Sequence, residues 1–222
     1  MTELVQPIVM LRSGSHEDAV RCVAEASLRA YVSAPDLPEW EQWLAGSFTK
    51  TVRRARPAEY EKARAAGPLA EVRRGEAAAL AFAPAPTDKL PRPIARLQVS
   101  GTELPRLGWP EDEGAACRTR IALNADLGMS TGKTAAQAAH AMWAVWLQLG
   151  ELDRAAWLDE GLAARFESVP GDNLALGKVT GAVLGAFGAE LGVKAYAAIH
   201  DNGRTEVDPG SLTAVGIRAW SS

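Results

Sequence analysis

The sequence is poor in the residues that build disulfide frameworks and metal sites. It has two cysteines in 222 residues, Cys22 and Cys117, and no CxxC pair. This excludes a disulfide scaffold and a cysteine-based zinc site. The three histidines, at 16, 140 and 200, lie far apart in the sequence, which argues against a histidine-rich metal site. We therefore expect neither a metal nor a cofactor.

Long apolar runs and a strong charge excess are also missing. No uninterrupted apolar stretch approaches the roughly 18 residues needed to span a bilayer. The N-terminus carries an acidic residue and no basic segment, so we predict no signal peptide and a cytoplasmic protein. A formal net charge of −3 excludes a uniformly basic nucleic-acid-binding coat but permits a local basic patch. The 47% hydrophobic and 23% charged residues are typical of a soluble globular chain.

The pattern along the chain predicts an α/β protein made of two small lobes of two or three layers, each with a mixed sheet. Residues 1–100 form the first lobe, 101–117 a linker and 118–222 the second lobe. Both halves are predicted to run strand, helix, short helix, strand, helix and two strands. Trp43-Leu44 and Trp157-Leu158 fall at matching places, which favours a tandem repeat. The alternative is that any small α/β unit shows this order.

Individual elements follow from periodicity and from capping residues. The predicted strands include 6–11, 48–53, 71–73, 78–83, 94–99, 118–124, 164–169, 193–200, 205–207 and 213–217. The predicted helices are 17–33, 39–45, 57–66, 133–149, 153–160 and 173–191. The tryptophans at 40, 43, 143, 146 and 157 have helical spacing, which favours packing in the core or between the lobes over base stacking.

The first chemical signal is a glycine-bearing turn, Gly128–Gly132, followed by a helix with Lys133 in its first turn. A cation is disfavoured there by the helix dipole, so an anionic ligand held by Lys133 and free backbone N–H groups would explain it. Gln137 and His140 share its helix face. The alternatives are an exposed lysine without function and a structural histidine. A phosphate-binding P-loop is a weak alternative, because the turn is one residue short of that pattern.

The second signal is Asp201, which follows an apolar strand ending near Ile199. In open α/β sheets, ligands bind at the carboxyl edge of the strands. Asp201-Asn202-Gly203 is also a good turn, so turn chemistry alone is an alternative. It does not account for the polar residues that follow: Arg204, Thr205, Ser211 and Thr213.

Together these segments resemble the class II peptidyl-tRNA hydrolases. The matching residues are Asp126–Met129, Gly132–Gln137, His140-Ala141, Asp201, Gly203–Thr205, Pro209–Ser211, Thr213 and Gly216-Ile217. The resemblance implies metal-independent cleavage of the ester between a peptide and the 3′ end of tRNA, which recycles tRNA from abandoned translation. It implies the catalytic residues Lys133, Asp201, Thr205 and Thr213. It also implies substrate-binding roles for Gly132, Gln137, His140, Arg204 and Ser211.

The chemistry implied by the resemblance needs no covalent intermediate. A carboxylate such as Asp201 can orient and deprotonate water, while Lys133, the threonine hydroxyls and helix N–H groups can stabilise the oxyanion. Asp201 acts either as the base or as the residue that orients Lys133. The runner-up is a tRNA-binding or specialised aminoacyl-tRNA-processing protein with weak or no general activity. The P-loop alternative predicts Mg-dependent ATP or GTP turnover.

The N-terminal half is absent from the usual single-domain family member. As a degenerate copy it would carry Ser15, Ala83 and Ala95 in place of Lys133, Asp201 and Thr213, and would be inactive. Since family members commonly pair as homodimers, this lobe would act as an intramolecular pseudo-dimer partner in a monomer or homodimer. Its basic cluster at 53, 54 and 56, together with the arginines at 73 and 74, either binds tRNA phosphates or is a solvated surface balanced by nearby acids.

Overall fold

The computed structural model describes residues 3–46, 48–110, 117–175, 192–201 and 206–219. They form an α/β structure with two mixed sheets, which confirms the predicted fold class. The strands are β1 (Leu4–Leu11), β2 (Thr49–Ala55), β3 (Ala70–Arg74), β4 (Ala77–Ala81), β5 (Ala85–Pro86), β6 (Thr119–Asn124), β7 (Arg165–Val169), β8 (Val193–His200) and β9 (Leu212–Ala219). The helices are α1 (His16–Ser33), α2 (Pro38–Ala45), α3 (Pro57–Arg64), α4 (Arg92–Ala95), α5 (Thr131–Gln148), α6 (Glu151–Asp159) and α7 (Gly171–Ala175), with a 3₁₀ turn at Thr87–Lys89.

The chain divides into two units. Unit 1 comprises residues 1–107 and 130–139, and unit 2 comprises residues 108–129 and 140–222. The domain boundaries expected from the sequence stay a prediction. In the described part of the chain, no helix combines the length and the apolarity needed to cross a membrane.

The sheet of unit 1 has the strand order β2-β1-β4-β3, and β5 adds to β1. β1 runs parallel to β2 and antiparallel to β4. Alternate residues of a strand face opposite sides of its sheet. Val5 and Val9 of β1 pack in one hydrophobic cluster with Tyr60 of α3, whereas the Gln6 side chain donates to the Ser27 carbonyl of α1 at 2.9 Å. Both faces of this sheet are therefore covered by helices.

The sheet of unit 2 has the order β7-β6-β9-β8, with β6 parallel to β7 and antiparallel to β9. Val215 of β9 packs in a cluster with Leu174 of α7. The next residue, Gly216, faces α5, where an added Cβ would lie 2.7 Å from Val145 Cγ2 and 2.8 Å from the Ala141 carbonyl oxygen. Glycine is thus required for the close approach of α5 to this sheet.

Most predicted elements are confirmed within a few residues at their ends. Ser15 caps α1 as expected, because its Oγ accepts from the Asp18 N–H at 3.1 Å. The prediction of tryptophan packing is also confirmed. All five tryptophans of that prediction are at most 5% exposed: Trp40, Trp43, Trp143, Trp146 and Trp157.

The strand predicted at 94–99 is wrong. Pro91 and Pro93 fix backbone angles that suit the first turn of a helix, so α4 forms there instead. Only Gln98 keeps an isolated bridge, to Arg54 of β2. Of the strand predicted at 205–207, residues 206 and 207 form a bend and residue 205 lies outside the described residues. Of the helix predicted at 173–191, residues 176–191 lie outside them as well.

Candidate active site

Three polar residues of unit 2 meet at one edge of its sheet. β6 and β8 both run antiparallel to β9, so the ends of β6 and β8 lie beside the start of β9. Asn124 ends β6, Asp201 follows β8 and Thr213 is the second residue of β9. Asp201 and Thr213, which the sequence predicted, are thus brought to the same sheet edge. This is the edge where open α/β sheets bind ligands.

Asp201 is held by its own backbone at the tip of β8. Its N–H donates to the Ser211 carbonyl at 2.9 Å, and its carbonyl accepts from the Gly210 N–H at 2.7 Å. The residue is 6% exposed. These two bonds fix the backbone of Asp201 between the end of β8 and the residues that precede β9. Ser211 is partly exposed and contributes its carbonyl to this closure.

Thr213 is fully buried, and its hydroxyl donates to the Ile199 carbonyl at 3.0 Å. The hydroxyl hydrogen therefore fastens β9 to β8 in this structure. A donor role toward a reacting oxygen would require that bond to break, whereas the hydroxyl oxygen still has lone pairs to accept a hydrogen bond. A catalytic role for Thr213 stays a prediction.

A polar network next to this edge was not assigned a role from the sequence. The Asn124 side-chain amide donates to the Leu212 carbonyl at 2.8 Å, and its oxygen accepts from the Asp126 N–H at 3.0 Å. The Asp126 carboxylate accepts from the Gly171 N–H at 2.8 Å. An added Cβ at Gly171 would lie 3.0 Å from the Asn124 amide nitrogen, so a side chain there would require the Asn124 amide to shift by a few tenths of an ångström. The signal available in the sequence was a pair of polar residues directly after an apolar strand.

Lys133 lies in the first turn of α5, as predicted, and is partly exposed. Ser130 caps this helix: its carbonyl accepts from the Thr134 N–H at 2.9 Å, and its Oγ accepts from the Lys133 N–H at 3.3 Å. Gln137 is 5% exposed and His140 is partly exposed. Since α5 is continuous from Thr131 to Gln148, these side chains share one helix face, as their spacing predicted.

Two backbone N–H groups in the first turn of α5, those of Gly132 and Lys133, already have acceptors within the protein. In unit 1, the Gly132 N–H donates to the Thr102 carbonyl at 3.4 Å, and the Leu104 N–H donates to Thr131 Oγ1 at 3.1 Å. The Thr102 carbonyl therefore occupies one of the N–H groups that, in the functional interpretation of the sequence, would help to hold an anion. A substrate-binding role for Gly132 stays a prediction.

Thr131 also contacts a buried histidine. His16 Nδ1 lies 3.0 Å from Thr131 Oγ1, and His16 is 2% exposed. Burial lowers the pKa of His16 to about 4, with the positive charge of Arg106 adding to this effect and Glu17 opposing it. The imidazole is consequently neutral at pH 7, and its Nδ1 can accept a hydrogen bond from the threonine hydroxyl.

Two of the predicted site residues, Arg204 and Thr205, lie outside the described residues, as does the Asn202-Gly203 turn. Within the described ranges, no group of three or more histidine, cysteine, aspartate or glutamate side chains is arranged to hold a metal ion.

The comparisons with known proteins concern the same part of the chain. The family model described as peptidyl-tRNA hydrolase PTH2 matches residues 117–222. A peptidyl-tRNA hydrolase of Methanococcus maripaludis strain C7 is 35% identical over 100 residues, which is 44% of this chain and 80% of that protein. One from Methanococcus vannielii is 33% identical over the same shares. This chain belongs to the PTH2 family. The PTH2 region contains Lys133, Asp201 and Thr213, and residues 1–116 lie outside it.

Proposed function

We propose that this chain hydrolyses the ester that joins a peptide, or an N-blocked aminoacyl group, to the 3′ end of tRNA. Membership of the PTH2 family and the peptidyl-tRNA hydrolases among its relatives support this activity. The observation that carries it is the sheet edge of unit 2, where the buried Asp201 follows β8 next to the start of β9. A substrate made by ribosomes favours a cytoplasmic site of action.

In the proposed mechanism, water attacks the ester carbonyl directly. Asp201 is assigned to the attacking water, either as its base or through the orientation of Lys133. Lys133 supplies positive charge to the tetrahedral oxyanion. Thr205 and Thr213 are assigned hydroxyl contacts to the reacting groups. Gly132, Gln137, His140, Arg204 and Ser211 are assigned to the binding of the acceptor end of tRNA.

We also propose that the N-terminal half is a diverged copy of the PTH2 fold. The two sheets have equivalent strand orders and strand directions. α1 and α5 each have 18 residues. Trp43 Nε1 donates to the Thr49 carbonyl at 2.8 Å, and Trp157 Nε1 donates to the Ala163 carbonyl at 2.9 Å, each six residues further along. This repeated hydrogen bond supports a diverged copy over chance similarity between small α/β units.

Within this proposal, the strand register supports other residue equivalences than the sequence suggested. The pair Leu11–Ala55 ends the β1–β2 ladder, and the pair Asn124–Val169 ends the β6–β7 ladder. Matching these two pairs aligns β1 with β6. With β1 aligned on β6, Ala79 of β4 corresponds to Ala214 of β9. The residue that corresponds to Thr213 is then Ala78 and not Ala95.

The helix caps change a second equivalence, since Ser15 corresponds to the cap Ser130. Asp18 therefore corresponds to Lys133, so the N-terminal half has an anion where the PTH2 region has a cation.

The connection that carries the second motif is missing from the copy. β3 and β4 are joined by Gly75-Glu76 alone, whereas residues 201–211 join β8 and β9. We therefore propose that the copy is inactive and takes the role that a second subunit plays in homodimeric relatives. A solution mass of 23.6 kDa, measured by light scattering, would support a monomer. A mass twice as large would favour the homodimer that the sequence also allows.

The activity is tested on N-acetyl-aminoacyl-tRNA, with unblocked aminoacyl-tRNA as the matched substrate. We expect release of the N-acetyl-amino acid at the same rate with and without a chelator, and slower cleavage of the unblocked substrate. Binding of tRNA without cleavage of either substrate would favour the tRNA-binding alternative. Mg-dependent ATP or GTP turnover without ester cleavage would favour a nucleotide hydrolase.

A further inference from the structure

Unit 1 contains a cavity of about 250 Å³ that the proposed hydrolysis does not use. Four arginines and a single carboxylate contribute to its lining. The lining residues are Arg12, Arg54, Ala55, Arg56, Glu59, Arg96, Leu97 and Gln98. We call this cavity the arginine pocket. Its composition contrasts with the net charge of −3 of the whole chain.

The sheet topology places the arginine pocket at the ends of two parallel strands. Leu11 pairs with Ala55 at the last position of the β1–β2 ladder, and Arg12 and Arg56 directly follow these residues. The Arg12 N–H donates to the Ala55 carbonyl at 2.8 Å, which holds the two strand ends together. Arg96 arrives from the end of α4. The carboxyl edge of parallel strands is where α/β sheets bind ligands.

The guanidinium groups differ in how much of their bonding capacity is used. Arg54 is fixed in place, because it donates to the Gly101 carbonyl at 2.9 Å and to the side-chain oxygen of Gln98. Arg56 pairs with Glu59 at 3.0 Å, but the two side chains are 74% and 37% exposed, and such a pair contributes little. The side chains of Arg12 and Arg96 have no hydrogen-bond or ion-pair partner among the residues that the structure describes.

Arg53, which lies next to Arg54 in β2, has a structural role instead. It is 6% exposed, and its guanidinium donates to the carbonyls of Ile94, Ala95 and Leu97 at 3.2–3.4 Å. The basic cluster read from the sequence therefore divides: Arg53 fastens the end of α4, whereas Arg54 and Arg56 line the pocket. Arg12 and Arg96, distant in sequence, complete a set of cations whose mutual repulsion an anion would relieve.

We propose that the arginine pocket binds phosphate groups of the RNA backbone and so gives the N-terminal half a part in holding tRNA. The assignment rests on the proposed function for the identity of the ligand. The planar, always charged guanidinium matches two oxygens of a phosphate at once, and four of them line this pocket. A chain with a net negative charge lacks general attraction for RNA, so a local cluster must supply it.

The test compares two variants that lose the same charge. Arg12→Ala/Arg96→Ala removes the pocket arginines without described partners. Arg64→Ala/Arg73→Ala removes two exposed arginines of unit 1 that do not line the pocket. Binding of deacylated tRNA is measured by fluorescence anisotropy at several salt concentrations, and thermal melting verifies that both variants fold.

We expect the pocket variant to bind tRNA about tenfold more weakly at low salt, with a salt-dependence slope shallower by about one to two. The control variant should keep the slope of the wild type. Equal affinities and slopes for the pocket variant and the wild type would overturn the proposal. Protection of the wild type by inorganic pyrophosphate, without any difference in tRNA binding, would mean a small-anion site and would also overturn it.

Hydrolysis separates this proposal from the proposed function. If both are correct, the pocket variant keeps the wild-type kcat on N-acetyl-aminoacyl-tRNA and shows a raised KM. If the wild type cleaves no ester but the pocket variant still binds tRNA more weakly, the pocket assignment stands and the hydrolase assignment fails. If the wild type cleaves the ester and the pocket variant matches it in KM and in tRNA binding, only the pocket assignment fails.

Discussion

Replacement of Gly216 by alanine tests whether α5 is pressed against the sheet of unit 2. The new Cβ would lie 2.7 Å from Val145 Cγ2 and 2.8 Å from the Ala141 carbonyl oxygen, whereas carbon atoms in contact prefer about 3.5–4.0 Å. The helix or the strand must then move by roughly 1 Å. Overpacking of this kind costs about 1–3 kcal/mol, and the higher strand preference of alanine returns about 0.5–1 kcal/mol. The net loss therefore lies between about 0 and 2.5 kcal/mol, and because backbone atoms of α5 are among those that must move, we expect about 1 kcal/mol.

Urea unfolding followed by circular dichroism measures this loss. With a typical m-value of about 2 kcal/mol per M, the midpoint of Gly216→Ala should fall by about 0.5 M. Gly132→Ala is the matched control, because its Cβ would meet its nearest described neighbour, Thr102 Cβ, at an ordinary 3.6 Å. Its midpoint should stay the same or rise. A Gly216→Ala midpoint equal to that of the wild type would refute the close approach of α5 to β9.

Two further predictions concern buried titratable groups. Burial lowers the pKa of His16 to about 4. Between about pH 6.5 and 4, His16 is therefore protonated in the unfolded chain and neutral in the folded chain, so the free energy of unfolding falls as the pH falls, by at most about 3 kcal/mol. In urea unfolding at each pH, His16→Asn should flatten this pH dependence, and an unchanged slope would contradict the assignment. Burial raises the pKa of the Cys22 thiol to about 12, so this thiol should not react in the folded protein. Cys22→Ser should therefore leave the number of thiols that react with Ellman's reagent unchanged in the native protein and lower that number by one in urea. Reaction of Cys22 in the folded protein would contradict its burial.

The order of elements was accessible from the sequence because local signals agree with the tertiary structure. Ser15 before an apolar-periodic stretch marked the start of α1, and Val193–His200 was predicted with the bounds that the structure has. The motif residues Asp201 and Thr213 were also found, since polar residues at strand ends stand out against the apolar strands. Their meeting at one sheet edge follows from the strand directions.

The remaining features depend on contacts that are distant in sequence. Nothing local indicates that Thr102 would occupy the Gly132 N–H, or that Arg12 and Arg96 would line one cavity. Arg53 is buried and Arg54 lines the pocket because of where β2 lies between its neighbours. The sequence alone does not give that position. The strand predicted at 94–99 is wrong for a local reason. Pro91 and Pro93 favour the start of a helix, and this signal outweighed the hydrophobic periodicity.

The most direct test of the central claim is the single-turnover rate of N-acetyl-aminoacyl-tRNA cleavage by Lys133→Ala and Asp201→Ala, with tRNA affinity measured in parallel. Lys194→Ala, which removes a lysine paired with Asp153 at 3.0 Å, is the control. We expect a fall of at least about 100-fold for both site variants with tRNA still bound, and a wild-type rate for the control. Wild-type rates for both site variants would contradict it.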